Sequence, residues 1–153
     1  MKPLVELLAK HGLSLASCES LTGGLFATAF TEIAGAGQVF KGGFVVYSNE
    51  AKIKLVKVSQ KTLQKQGAIS AQCAKEMAYN AQKLLGTDLA ISFTGNAGPT
   101  AQENKPLGLV YIALVIKDIL VSKEYHFFGS REEICQQAVK AGIRLIKDKL
   151  NKK

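Results

Sequence analysis

Chemistry-bearing side chains concentrate in one hexapeptide, Tyr47-Ser48-Asn49-Glu50-Ala51-Lys52. The run Phe40 to Val46 reads as a strand feeding it, and Ile53, Leu55, Val56 and Val58 continue with a helical spacing. The hexapeptide is therefore expected where a strand end turns into a helix start. Ser48 or Asn49 can cap that helix, because a short side-chain oxygen accepts from a free N–H of the first turn. With Asn49 as cap, Lys52 takes the third helical position, where a capping box would place Glu or Gln. A lysine there faces the positive end of the helix dipole, which disfavours its charge and lowers its pKa. Such an amine can serve as a general base or a nucleophile. Against this stands the plainer reading of a solvated surface lysine, one of many in the chain.

Two further stretches invite a ligand. Glu19-Ser20-Leu21-Thr22-Gly23-Gly24 follows the alternating segment Leu13 to Cys18 and precedes the helical run that starts at Leu25. A strand thus passes through a Ser/Thr/Gly loop into a helix N-terminus, where backbone N–H groups and the dipole favour anions. Neither a Walker loop nor the three-glycine dinucleotide fingerprint is present. Thr94-Gly95-Asn96-Ala97-Gly98-Pro99 follows the short apolar strand Leu89 to Phe93 in the same manner. In an open α/β sheet, ligands bind beyond the carboxyl ends of strands. The two glycine loops and the Tyr47–Lys52 turn are therefore expected to converge on one pocket. Arg131, at the start of the last helix, suits bidentate pairing with phosphate, or is simply a surface arginine.

The elements that must position these residues follow from periodicity and punctuation. Helices are expected over 3–11, 25–34, 49–57, 59–66, 70–85 and 131–149, and strands over 13–18, 38–47, 89–93, 107–117 and 120–128. The helix over 70–85 carries Cys73, Met77, Ala81 and Leu84 as its apolar stripe, and the last helix Ile134, Ala138, Ala141 and Leu145. Residues 100–106 read as a polar, flexible connection, and Asp118 marks a hairpin. The order is α-β-α-β-α-α-α-β-β-β-α. It predicts an α/β fold, a three-layer α/β/α sandwich with a mixed sheet, formed as a single domain over residues 1–153.

Composition narrows the function classes. Apolar residues make up 47% of the 153, enough for a proper core. A net charge of +8 suits an anionic partner, and a phosphorylated small molecule fits better than nucleic acid, since no basic run is interleaved with aromatics. The three cysteines, Cys18, Cys73 and Cys135, are too far apart in sequence to suggest a disulfide framework or a metal site. Cys18 alone lies near the suspected site and is a weak candidate nucleophile. No stretch reads as a signal peptide or membrane span, so a cytoplasmic protein is expected.

In combination these stretches resemble the C-terminal domain of the CinA (competence/damage-inducible) family. The resemblance rests on Glu19-Ser20-x-Thr22-Gly23-Gly24, Gly43-x-x-x-Tyr47-Ser48-Asn49-Glu50-Ala51-Lys52, Gly67-Ala68-Ile69-Ser70 and Thr94-Gly95-x-Ala97-Gly98-Pro99. Lys105-Pro106-x-Gly108-x-Val110-Tyr111 and Gly129-x-Arg131 also fit. It implies an α/β/α sandwich that assembles into homo-oligomers. It also implies a nicotinamide mononucleotide amidohydrolase (deamidase) of the pyridine nucleotide cycle, working through a serine and a lysine without cofactor or metal. Lys52 matches the family lysine, and Ser20 and Tyr47 match pocket residues; these three form the catalytic set. Thr94 and Arg131 match positions near ribose and phosphate. Backbone N–H groups around Thr22, Gly23 and Gly24, or Gly95, are available to an oxyanion or a phosphate. The family pattern further implies a Gly-Ser-Ser before the second strand, its second serine being the nucleophile. This chain has Gly35-Ala36-Gly37 there. Two expectations follow: an amidohydrolase in which Ser20 or Ser48 serves instead, or a nucleotide-binding or interaction module that has lost the chemistry. Full-length family members often carry a separate N-terminal domain, so a standalone chain slightly favours the enzyme, whereas the Gly35-Ala36-Gly37 segment favours the binding module.

Overall fold

The computed structural model of the chain describes residues 1–152. The helices are α1 (Lys2–His11), α2 (Leu25–Thr31), α3 (Asn49–Val56), α4 (Gln60–Lys65), α5 (Ala71–Leu85) and α6 (Arg131–Asn151). The strands are β1 (Leu15–Glu19), β2 (Phe40–Val45), β3 (Leu89–Gly95), β4 (Leu109–Ile116) and β5 (Ile119–His126). A single 3₁₀ turn, Ala36–Gln38, precedes β2. The element order expected from the sequence holds, with boundaries shifted by a few residues.

The strands form one sheet in the order β2-β1-β3-β4-β5. β1 pairs in parallel with both β2 and β3, and the β3-β4 and β4-β5 pairs are antiparallel. β1 and β3 are buried almost throughout, as central strands covered on both faces must be. One face is covered by α1, α2 and α6, whose Leu4, Leu8, Phe26, Phe30, Ile134 and Leu145 share a core with Ile91, Phe93 and Ile112. On the other face Val56, Cys73, Met77 and Ala81 of α3 and α5 share a second core with Ala16, Ala90 and Ala113. The architecture is thus a three-layer sandwich around a mixed sheet.

The connections place the site. From β1 the chain passes through α2 on one face to β2. It then returns through α3, α4 and α5 on the opposite face to β3, on the other side of β1. Strand order therefore reverses at β1, and the crevice beyond its carboxyl end is where such sheets bind ligands. Ser20 is the first residue past that end.

Local chemistry explains most boundaries. Gly12 ends α1 in the left-handed conformation, with its N–H returning to Ala9 and Leu8 carbonyls. Ser59, Ser70 and Ser130 cap α4, α5 and α6, the last in a full capping box with Glu133. Of the two candidate caps, Ser48 serves α3 by accepting from Ala51 N–H at 3.0 Å, so Lys52 occupies the fourth helical position. One detail differs from the sequence reading. Leu84 is 52% exposed. The buried stripe of α5 instead includes Ala74, Ala78 and Gln82, because the helix packs against all five strands and the face it buries is wider than one row.

Candidate active site

The carboxyl ends of β1, β2 and β3 bring Ser20, Lys52 and Gly95 to one crevice. β1 delivers Ser20, whose N–H donates to Phe93 O of β3 at 2.9 Å. The same strand ends in Glu19, a fully buried carboxylate. It accepts from Phe26 N–H at 2.8 Å and Ala27 N–H at 3.2 Å. Glu19 thereby caps the first turn of α2 from outside the helix, and the Ser20–Gly24 loop is held between two anchored elements.

Lys52 is 2% exposed, and its side chain runs under the turn that leads from β2 into α3. Its Nζ lies 3.0 Å from Ser20 Oγ, 3.0 Å from Val46 O and 3.3 Å from Tyr47 O. No carboxylate forms an ion pair with it among the described residues. Burial holds the amine below the usual lysine range, offset in part by the Cys73 and Cys18 thiols and by Glu103. Desolvation is thus the leading cause. The neutral amine fits this surrounding well. Its two N–H bonds can go to the two main-chain carbonyls, which leaves the nitrogen lone pair for the Ser20 hydroxyl. That is the arrangement in which an amine takes a proton from an alcohol.

Above this pair opens a small cleft of about 110 Å³, lined by Ser20, Leu21, Tyr47, residues 95–98, Thr100, Gln102 and Arg131. Tyr47 is 59% exposed and accepts through its hydroxyl from the Arg131 guanidinium, which also donates to Gly98 O. Both acceptors are neutral, so the Arg131 charge at the cleft is uncompensated by any carboxylate contact among the described residues. Gly95 forms part of the floor. A β-carbon there would come within 2.6 Å of Leu109 O, so close strand approach demands glycine.

Four expected ligand contacts lie elsewhere. Thr94 is buried and donates its hydroxyl to Ala68 O at 2.7 Å, joining β3 to the turn before α5. Thr22, Gly23 and Gly24 do not line the cleft. The Thr22 hydroxyl is buried without a partner, Gly23 N–H donates to Ser20 O, and Gly24 adopts the left-handed conformation that turns the chain into α2. Glu19 already satisfies the helix donors that an anion would use there.

The remaining nucleophile candidates also resolve. Cys18 is fully buried in β1, and burial raises its thiol far above the usual range. Cys73 is pushed up to about 12 by burial as well. Ser48 is occupied as a helix cap. Gly37 sits in the 3₁₀ turn before β2, at the amino end of that strand, with open space where a side chain would stand. β2 separates it from the Lys52 turn by its full six residues, roughly 20 Å at the strand rise. A serine at position 37 would be at the wrong end of the sheet, so its absence removes nothing from the cleft. The sequence reading missed Asn96, Thr100 and Gln102. Asn96 lies inside a glycine motif that could have flagged it, whereas Gln102 carries no such signal.

The model of the CinA C-terminal domain matches residues 1–150. The chain belongs to this family. A competence-damage inducible protein of Bacillus cytotoxicus is 47% identical over 147 residues, covering 95% of this chain and 36% of the relative. One of Pediococcus pentosaceus is 46% identical over 144 residues, covering 94% and 35%. The chain thus spans about a third of the length of these curated relatives. Among solved structures, a CinA superfamily protein of Klebsiella pneumoniae superposes with a TM-score of 0.94 at 31% identity, over 96% of this chain and 92% of that one. The competence/damage inducible protein CihA of Agrobacterium tumefaciens gives 0.94 at 34% identity, over 99% and 93%. No helix among the described residues is long and apolar enough to cross a membrane.

Proposed function

We propose that this CinA domain hydrolyses the carboxamide of nicotinamide mononucleotide, with Ser20 as nucleophile and Lys52 as its base. The observation that carries the reading is the buried, carboxylate-free Lys52 amine 3.0 Å from the Ser20 hydroxyl at the edge of a cleft. The substrate comes from the family resemblance, and the uncompensated Arg131 charge suits its phosphate.

Ser20 Oγ attacks the carboxamide carbon as its proton passes to Lys52 Nζ. The C=O electron pair moves to oxygen, giving a tetrahedral oxyanion. Ser20 N–H is already spent on Phe93 O, so it is not the oxyanion donor. The neighbouring Leu21 N–H, which lines the cleft and has no protein acceptor among the described residues, is the candidate. Collapse of the oxyanion breaks the C–N bond, and Lys52 returns the proton to the departing ammonia. Water then attacks the Ser20 ester with Lys52 again as base, releasing nicotinate mononucleotide and restoring the hydroxyl. No metal or cofactor is required by this sequence of steps.

The competing reading, a binding module without chemistry, rests on Gly37, which stands at the amino end of β2, away from the Lys52 turn. The family resemblance also implies a homo-oligomer acting in the cytoplasm, and the exposed edge strands β2 and β5 suit such assembly. The deciding experiment is ammonia release from nicotinamide mononucleotide by the wild type and by Ser20→Ala. Release by the wild type that Ser20→Ala abolishes supports the reading, and equal release by both overturns it.

A further inference from the structure

The segment between β3 and β4, residues 96–108, has no regular structure, yet it supplies Asn96, Ala97, Gly98, Thr100 and Gln102 to the cleft. Its two ends are fastened to the sheet: Asn96 N–H donates to Leu109 O, and Gly108 N–H to Asn96 O. Its middle is fastened by side chains. Glu103 and Asn104 both adopt the left-handed conformation, and with Lys105 N–H donating to Gln102 O they fold the loop back on itself. The Glu103 carboxylate then accepts from Ala68 N–H at 2.9 Å and Ile69 N–H at 3.1 Å. Lys105 Nζ donates to Gln66 O at 2.8 Å, to Ile69 O and to Glu103 itself at 3.1 Å.

The receiving turn is built for this contact. Ser70 Oγ donates to Gly67 O, and Thr94 Oγ1 to Ala68 O, so the carbonyls that Lys105 does not take are satisfied from within. Gly67 has φ +84°, and a β-carbon on it would lie 2.3 Å from Glu103 Oε1. Glycine here is required both by the backbone and by the carboxylate seated against it. Thr100 and Gln102, in contrast, have side chains with no hydrogen-bond partner in the protein among the described residues. They are neutral donor–acceptor groups held at the cleft with their capacity unspent.

We infer that Glu103 and Lys105 are positioning residues for the cleft. They latch the 96–108 loop onto the Gly67–Ser70 turn and so hold Thr100 and Gln102 as the wall that reads uncharged polar groups of the substrate. This rests on the proposed amidohydrolase reading for the identity of the substrate, but not for the latch. Ser20 and Lys52 belong to other elements, so the latch acts on binding more than on chemistry.

The test combines two readouts on the whole chain: wild type, Glu103→Ala, Glu103→Gln and Lys105→Met. Hydrogen exchange followed by mass spectrometry should show peptides over 66–70 and 97–107 exchanging about tenfold faster or more in Glu103→Ala, with α1 and α6 unchanged. Kinetics with nicotinamide mononucleotide should show KM raised about tenfold in Glu103→Ala and Lys105→Met, with kcat within about twofold. Glu103→Gln, which keeps one acceptor oxygen, should fall between. Gln102→Ala should raise KM without altering exchange. Unchanged exchange in the loop of Glu103→Ala overturns the latch. Faster exchange with an unchanged KM overturns the link to substrate. If the wild type does not turn over this nucleotide, the reaction assignment fails, and exchange alone decides the latch.

Discussion

Lys52 and Ser20 stand on the ends of two different strand connections, yet their polar atoms meet at 3.0 Å, and no carboxylate forms an ion pair with Lys52 among the described residues. Lys52 reaches Ser20 because Val46 continues the β2 side of the sheet, donating its N–H to Glu19 O at 2.8 Å, before Ser48 starts α3. That one extra pairing fixes the depth from which the lysine side chain rises. The buried amine is costly as a cation, which suits it to the proposed role of base.

The pH dependence follows directly. kcat/KM for nicotinamide mononucleotide should rise with pH through the lowered pKa of Lys52 and level off above it, since only the neutral amine takes the Ser20 proton. Lys52→Met should lose roughly 10²–10⁴-fold in kcat. A rate that falls with rising pH across that range in the wild type would contradict the assignment.

Stability carries the same signature. Between the folded pKa of Lys52 and the ordinary value of 10.5, the unfolded chain binds the proton that the folded chain has released. Stability should therefore rise with pH across this window, and the gain should be lost as pH falls through the folded value. Denaturant midpoints of wild type and Lys52→Met, compared across the window, isolate it. The difference between the two proteins should change with pH in favour of the wild type.

Arg131→Ala should raise KM roughly 10- to 100-fold by removing charge-assisted hydrogen bonds to the phosphate, while kcat changes little. The salt dependence of binding, measured by calorimetric titration, should weaken in parallel. Equal affinity of the wild type for nicotinamide riboside and its phosphate would contradict this role.

Glu19→Ala leaves the first-turn donors of α2 without their acceptor in a dry setting. It should destabilise the chain by roughly 3 kcal/mol, read from a urea midpoint. Gly37→Ser is the counterpart: with open space around it and the site at the other end of β2, it should stay within about 0.5 kcal/mol of wild type and leave kcat/KM unaltered. A large gain of activity in Gly37→Ser would contradict the placement of the nucleophile at Ser20.

The residue pattern alone carries the layer order, because apolar periodicity and Ser and Gly caps act locally. It also brings Ser20, Tyr47, Gly95 and Arg131 together, since all four stand at carboxyl strand ends or helix starts on one side of the sheet. It does not place Thr94 correctly: alternation along β3 decides which way a side chain points, and Thr94 points to Ala68. Nor does it reveal the dipole-satisfying role of Glu19, a contact of seven and eight residues in sequence made only once β1 and α2 are packed. The loop over 100–106 reads as flexible because its fastening comes from Gln66–Ile69, more than thirty residues away.

Ser20 and Lys52 are proposed to cleave a carboxamide together. The most direct measurement is trapping of the Ser20 ester: nicotinamide mononucleotide labelled in the carbonyl, acid quench during turnover, and mass spectrometry of the peptide containing Ser20. A labelled adduct is expected on Ser20 in the wild type, with one ammonia released per adduct, and none in Ser20→Ala or Lys52→Met. Ammonia release that proceeds at the wild-type rate in Ser20→Ala, or an adduct on any other residue, would contradict it.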